Sequence, residues 1–174
     1  MSGGQARLDG ELREDQFSRM KEFDLMKLAL TEARDAEGRG EVPVGAVIIN
    51  RQDGEILAQA GNRTEEFGDP TAHAELLAIR AATSGFGSSR LLNCDVYVTL
   101  EPCAMCAAAI ALAKLRKLVF GAYDPKGGAV EHGPRLFSHS TIHHRPEIIG
   151  GVMETDCAEL LTTFFRDRRE KSNN

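Results

Sequence analysis

The run from Asp95 to Phe120 limits what this chain can fold into more than any other stretch. Val96, Val98 and Leu100 alternate with their neighbours through Glu101, the period-two pattern of a strand, and Pro102 halts it. Proline suits the first turn of a helix, and Cys103 to Lys114 continues as an Ala-rich helix before Leu118, Val119 and Phe120 read as a second strand. Two strands joined through a helix pair in parallel, and parallel strands are covered by helices. Strand, helix and strand in succession predict a parallel crossover.

The remaining segments supply the cover. Residues 1–16 are polar, Gly-containing and aperiodic, which predicts a flexible N-terminal extension. From Phe17 onward, Phe23, Met26, Leu30 and Ala33 recur at helical spacing up to the Gly38-Arg39-Gly40 breaker. Two apolar runs, Val42 to Ile49 and Ile56 to Ala60, flank Gln52-Asp53-Gly54, the signature of an antiparallel hairpin. Ala74, Leu77, Ala78 and Ala81 predict a helix over Thr71 to Ser84 that starts just before His73, with Asp69, Pro70 and Thr71 offering cap chemistry. Tyr123 to Ser140 reads as a long ordered loop, Glu147 to Ile149 as a short extended piece, and Asp156 with Glu159 as a capping box opening a last helix through Arg169. The expected result is one α/β domain over residues 17–170, with helices covering a mixed sheet and a polar tail at 171–174.

Two short motifs carry the chemistry. His73-Ala-Glu75 and Pro102-Cys-Ala-Met-Cys106 each open a predicted helix, with thirty residues between His73 and Cys103. Cys103 and Cys106, three apart, put both sulfurs on one helix face at its positive end, which favours thiolates. With the imidazole of His73 the count is three ligands, the number a catalytic zinc uses when a fourth position stays open for water. Glu75, two residues past the histidine, points about 200° around the helix axis and need not share the metal. It can take a proton from the water and pass it to a substrate. His-x-Glu followed by Pro-Cys-x-x-Cys is the signature of zinc-dependent nucleobase deaminases. Each fragment alone has a plainer reading: a buried histidine, a redox dithiol, two core thiols. Cys94 and Cys157 are expected to be ordinary buried side chains.

A formal net charge of −5 argues at first against a nucleic-acid partner. Its distribution qualifies that. Residues 1–41 carry −3, 42–109 carry −4 and 110–174 carry +2, with four of the five histidines (His132, His139, His143 and His144) in the last part. The longest stretch without a polar or charged residue, Cys103 to Ala113, is far shorter than the ~20 residues that span a bilayer, and the first residues hold no apolar signal core. A cytoplasmic protein with no membrane partner is the expectation.

The stretches Glu41-Val-Pro-Val-Gly-Ala-Val47, Gly61-Asn-Arg63, Asp69-Pro-Thr-Ala-His-Ala-Glu75, Tyr97-Val-Thr-Leu-Glu-Pro-Cys-Ala-Met-Cys-Ala107, Val119-Phe-Gly-Ala122 and Phe164-Phe-Arg-Asp-Arg-Arg169 resemble the bacterial tRNA-specific adenosine deaminases over about residues 20–170. The resemblance implies a three-layer cytidine-deaminase-like fold with a mixed five-stranded sheet and helices on both faces. It further implies a homodimer, one zinc per subunit, and hydrolysis of adenosine to inosine at the wobble position of a tRNA anticodon stem-loop. Carried over, His73, Cys103 and Cys106 match the zinc ligands and Glu75 the proton shuttle. Asn62, Val44 and Ala74 match substrate contacts, and Phe164, Phe165, Arg168 and His144 match positions facing the RNA. Asn62 has a rival role as a turn residue, and the Arg166, Arg168, Arg169 and Lys171 cluster has one as a solvated helix end. The Cys106 to Ala113 run is apolar on every side, which predicts burial all round and supports a helix-mediated dimer. A deaminase of free guanine, cytosine or cytidine is the nearest alternative, and a non-enzymatic zinc-stabilised RNA-binding domain a more distant one.

Overall fold

The computed structural model describes residues 22–172. The expected extension at 1–16 and the start of the first helix at Phe17 lie outside the described residues. Helix α1 occupies 22–38, followed by strands β1 (Gly45–Asn50) and β2 (Ile56–Gly61), a short helix α2 (Thr64–Phe67) and α3 (Ala74–Phe86). Then come β3 (Cys94–Leu100), α4 (Ala104–Leu112), β4 (Lys117–Ala122), a 3-10 turn at Leu136–Ser138, β5 (Glu147–Ile149) and α5 (Glu154–Ser172).

One five-stranded sheet runs β2-β1-β3-β4-β5. The hairpin strands pair antiparallel with a bulge between Ile48 and Ile49, and β1 is also antiparallel to β3. β3 with β4 and β4 with β5 are parallel, as the crossover pattern requires. Alternate side chains of the strands feed two cores. Ala46, Ile48, Val96, Val98, Leu118 and Phe120 pack on α3 and α4, while Val47, Ile49, Tyr97 and Val119 face α1 and α5. The three-layer α/β arrangement follows from that alternation.

Close approach of α1 needs two glycines at one rung. Gly45 pairs with Gly61 across the hairpin. A Cβ on Gly45 would overlap the carbonyl oxygen of Ala29, and one on Gly61 would stand 2.5 Å from that of Glu32. The helix backbone therefore rests on the strands, and the strand ends beside it are held close to the segments that form the site.

Several boundaries differ from the sequence expectation. α3 begins at Ala74, so His73 is its N-cap rather than an interior residue, and Cys103 is likewise the N-cap of α4. α5 begins at Glu154, which puts Asp156 in its first turn and removes the capping-box geometry. α2 was not expected. Its free N–H groups at Glu65 and Glu66 are taken by the carboxylate of buried Glu41 at 3.2 and 2.8 Å, and the Thr64 hydroxyl donates to the same group at 3.0 Å. Burial alone would raise the pKa of Glu41, but these donors outweigh it and hold the carboxyl below its ordinary range. Nor is α4 buried all round. Cys106, Ala107, Ile110 and Ala111 face the core, whereas Ala104 and Leu112 are exposed and Met105, Ala108 and Ala109 only half-buried. An all-apolar helix is covered on the side that meets a neighbour, and this chain alone covers one side.

Candidate active site and metal centre

The starts of α3 and α4 converge on one point. Each helix is led by an extended residue whose side chain forms no cap hydrogen bond, His73 at φ −75°, ψ 149° and Cys103 at φ −70°, ψ 172°. Serine or aspartate at such a position would turn back to cap the helix. Here the imidazole and the thiol turn outward to each other instead, joined by Cys106 from the first turn of α4.

Nδ1 of His73 lies 3.7 Å from Sγ of Cys103 and 3.5 Å from Sγ of Cys106. All three donor atoms fall within 4.8 Å of one another. A tetrahedral zinc ion with ordinary bond lengths separates its nitrogen and sulfur ligands by about 3.6 Å. The donor set therefore fits zinc in both chemistry and spacing, and no fourth side-chain ligand joins the group among the described residues. Two helix N-termini aimed at one point further favour negative charge there.

The protonation pattern agrees. A hydrogen bond from Cys106 and another from His73 hold the Cys103 thiol down at about 4. The same shared proton, with burial, pushes Cys106 up. The pKa of His73 is raised, chiefly by its hydrogen bond to Cys103. Burial also raises the carboxyl of Glu75, which is only 4% exposed. A carboxyl so placed holds a proton more readily than a surface one.

These side chains face a cavity of about 220 Å³ lined by Val44, Asn62, Thr64, His73, Glu75 and Cys103, and also by Glu101, Asp124 and Gly127. Asn62 is buried and plays more than a turn role. Its Oδ1 accepts the N–H of Ala74 at 2.8 Å and so caps α3 from outside the helix. That donor fixes which amide atom faces the start of α3, and the side chain also lines the cavity. Ala74 is fully buried beneath, and the carbonyl of Val44 takes the backbone N–H of Asn62 at 3.0 Å.

The cavity continues into a groove of about 790 Å³. Val42, Leu100, Asp124 and Gly127 line both, and Lys126, Thr162, Phe165 and Arg169 line the groove. Of the residues matched to RNA contacts, Phe165 is 43% exposed in this groove. Phe164 is instead buried, edge-on to Phe165 at 5.4 Å between centroids, with the Arg168 guanidinium 5.2 Å above its ring. Adjacent helical residues cannot share a face, and the core takes the first of the pair. Arg169 rather than Arg168 reaches the groove. His144 is not brought to the site: its Nε2 pairs with the carbonyl of Leu115 at 2.6 Å, beyond the C-terminal end of α4, whereas Cys103 stands at the other end. Sequence reasoning missed Thr64, Asp124 and Lys126. The Asp124-Pro-Lys-Gly turn signal was present, but nothing in it indicates which cavity the turn borders.

Residues 20–122 match the cytidine and deoxycytidylate deaminase zinc-binding region. A tRNA-specific adenosine deaminase of Agrobacterium fabrum is 55% identical over 83% of this chain and 93% of its own length. That of Bacillus subtilis is 45% identical over 84% and 89%. A solved structure from studies of A-to-I editing by tRNA:A34 deaminases at the wobble position superposes with a TM-score of 0.77 at 54% identity, covering 79% of this chain and 99% of that one. Guanine deaminase from Nitrosomonas europaea shares the fold at 21% identity and a TM-score of 0.67, over 82% of this chain and 83% of that one. Sequence, fold and donor set agree, and this chain belongs to the tRNA-specific adenosine deaminases of the zinc-binding cytidine and deoxycytidylate deaminase family.

Proposed function

We propose that this enzyme deaminates adenosine to inosine at the wobble position of a tRNA anticodon, releasing ammonia, and does so in the cytoplasm as a single deaminase domain over residues 17–170. The continuity of the small cavity with the large groove carries this reading. A deaminase of free bases needs only the cavity, whereas a base flipped out of a strand leaves its neighbours outside. The groove offers those neighbours an exposed ring at Phe165 for stacking and cations at Lys126 and Arg169 for phosphates.

Zinc, when held by His73, Cys103 and Cys106, supplies the Lewis acidity that brings the pKa of water to about 7. The rest is the work of the chain. Glu75 takes a proton from the attacking water and places it on N1 of adenine as the oxygen bonds to C6. It then passes the second proton of that water to the exocyclic nitrogen, the C6–N bond breaks, and ammonia leaves, with the C6 carbonyl of inosine remaining. Nδ2 of Asn62 donates to an acceptor on the base, while Val44 and Ala74 shape the wall.

Incubation of the protein with an anticodon stem-loop and, separately, with adenosine, guanine and cytidine tests the reading. Inosine in the stem-loop with slow or absent turnover of the small substrates is expected; efficient release of ammonia from guanine or cytidine, with the stem-loop untouched, would replace it with the free-base alternative.

We also propose that the enzyme is a homodimer through α4. Ala104, Ala108 and Leu112 repeat at four-residue spacing on its uncovered side, and Leu112 is 78% exposed. Small residues permit close approach of a second helix and Leu112 gives it an anchor. Light scattering at micromolar concentration should give twice the chain mass, and Leu112→Glu should halve it; a monomeric parent protein would end the proposal.

A further inference from the structure

We propose that Glu101 is a positioning residue for the RNA substrate: its buried carboxylate gathers the loop from Asp124 to His132 and sets the part of the cavity wall that this loop forms. The side chain has no exposed surface. Oε1 accepts the backbone N–H groups of Val130, Glu131 and His132 at 3.1, 2.8 and 3.0 Å. Oε2 accepts the N–H of Asp124 at 3.0 Å and pairs with Nδ1 of His132 at 2.7 Å. Five donors from one loop thus share a single acceptor group, with the ring of His132 edge-on to Tyr123 at 5.9 Å between centroids.

The loop is built to come that close. A Cβ on Gly128 would stand 2.5 Å from Cδ of Glu101 and 2.5 Å from the carbonyl of Asp124. Ala129 adds a bond from its N–H to the carbonyl of Pro102 at 2.9 Å. The loop is therefore tied to the strand end that leads into the metal-binding turn. It contributes Asp124 and Gly127 to the cavity, and with Lys126 these also line the groove. It contains no metal ligand and no proton shuttle. An amide in place of the carboxylate cannot serve the five donors, because one of its two polar atoms is itself a donor. The loop then loosens, the wall moves, and the substrate is held less well while the reacting groups on α3 and α4 keep their places.

The inference rests on the tRNA reading, and the experiment separates the two. Glu101→Gln, His132→Ala and the double variant are compared with the parent for zinc content, steady-state kinetics on an anticodon stem-loop, and amide hydrogen exchange. Glu101→Gln is expected to raise KM about tenfold with kcat changed less than threefold, to keep stoichiometric zinc, and to speed exchange at Val130, Glu131 and His132. His132→Ala removes one donor and stays informative if Glu101→Gln does not fold; it should shift KM and exchange in the same direction by less, and add little in the double variant. Unchanged KM, unchanged exchange at these amides, or a loss confined to kcat would overturn the proposal. Absence of inosine from the parent protein would instead count against the function, with the exchange data still deciding whether Glu101 holds the loop.

Discussion

Glu75→Ala should lower inosine formation by about 10²- to 10⁴-fold while zinc content and Tm stay near those of the parent protein. The cavity is bordered by other carboxylates, but they are committed elsewhere. Glu101 is occupied by the loop it gathers, and Oδ1 of Asp124 accepts the N–H groups of Lys126 and Gly127. Glu75 stands beside the three donor atoms without being one of them. Its burial, which raises its pKa, makes it a good holder of the proton in transit and a poor source of stability, so alanine costs the fold little. Zinc analysis, thermal unfolding and single-turnover assay on a stem-loop read the three effects separately. Retained turnover in Glu75→Ala would defeat the proton-shuttle role.

Cys103→Ser is expected to do the opposite, losing zinc, activity and stability together. The described residues offer three donors at this point, so removing one leaves two. A serine hydroxyl does not ionise near neutral pH, whereas the Cys103 thiol is held at about 4 by its hydrogen bonds to Cys106 and His73. Metal bound only by the folded state stabilises that state, so its loss should appear as a lower Tm. The parent protein treated with a chelator should reproduce that Tm and, unlike the variant, recover on adding zinc. Stoichiometric zinc in purified Cys103→Ser would show that the ligand set is wrong. The pair of variants thereby separates holding the metal from using it.

Much of this was legible in the sequence, for reasons that are local. The hairpin follows from Asp53-Gly54 between apolar runs, and the β3-α4-β4 crossover from period-two alternation stopped by Pro102. The three metal donors follow from residue type and spacing. What was not legible depends on partners distant in the chain. The start of α3 is shifted because His73 faces the metal site and Asn62, twelve residues back, does the capping. α2 exists because Glu41 reaches its first turn. Which of Phe164 and Phe165 meets solvent is decided by where α5 lies on the sheet, and periodicity fixes only that one of them must.

One side chain shows what such long-range dependence means for this enzyme. Asn62 accepts the backbone N–H of Ala74 with its side-chain oxygen while the same side chain lines the cavity. That bond fixes which end of the amide is committed to the backbone, so the proposed contact with a substrate falls to the amino group and to the oxygen's remaining lone pair. Because the same planar amide anchors the start of α3 beside His73, replacing it would also loosen the scaffold beneath the metal site. Any change made at position 62 for the sake of a ligand is therefore also a change to the helix start.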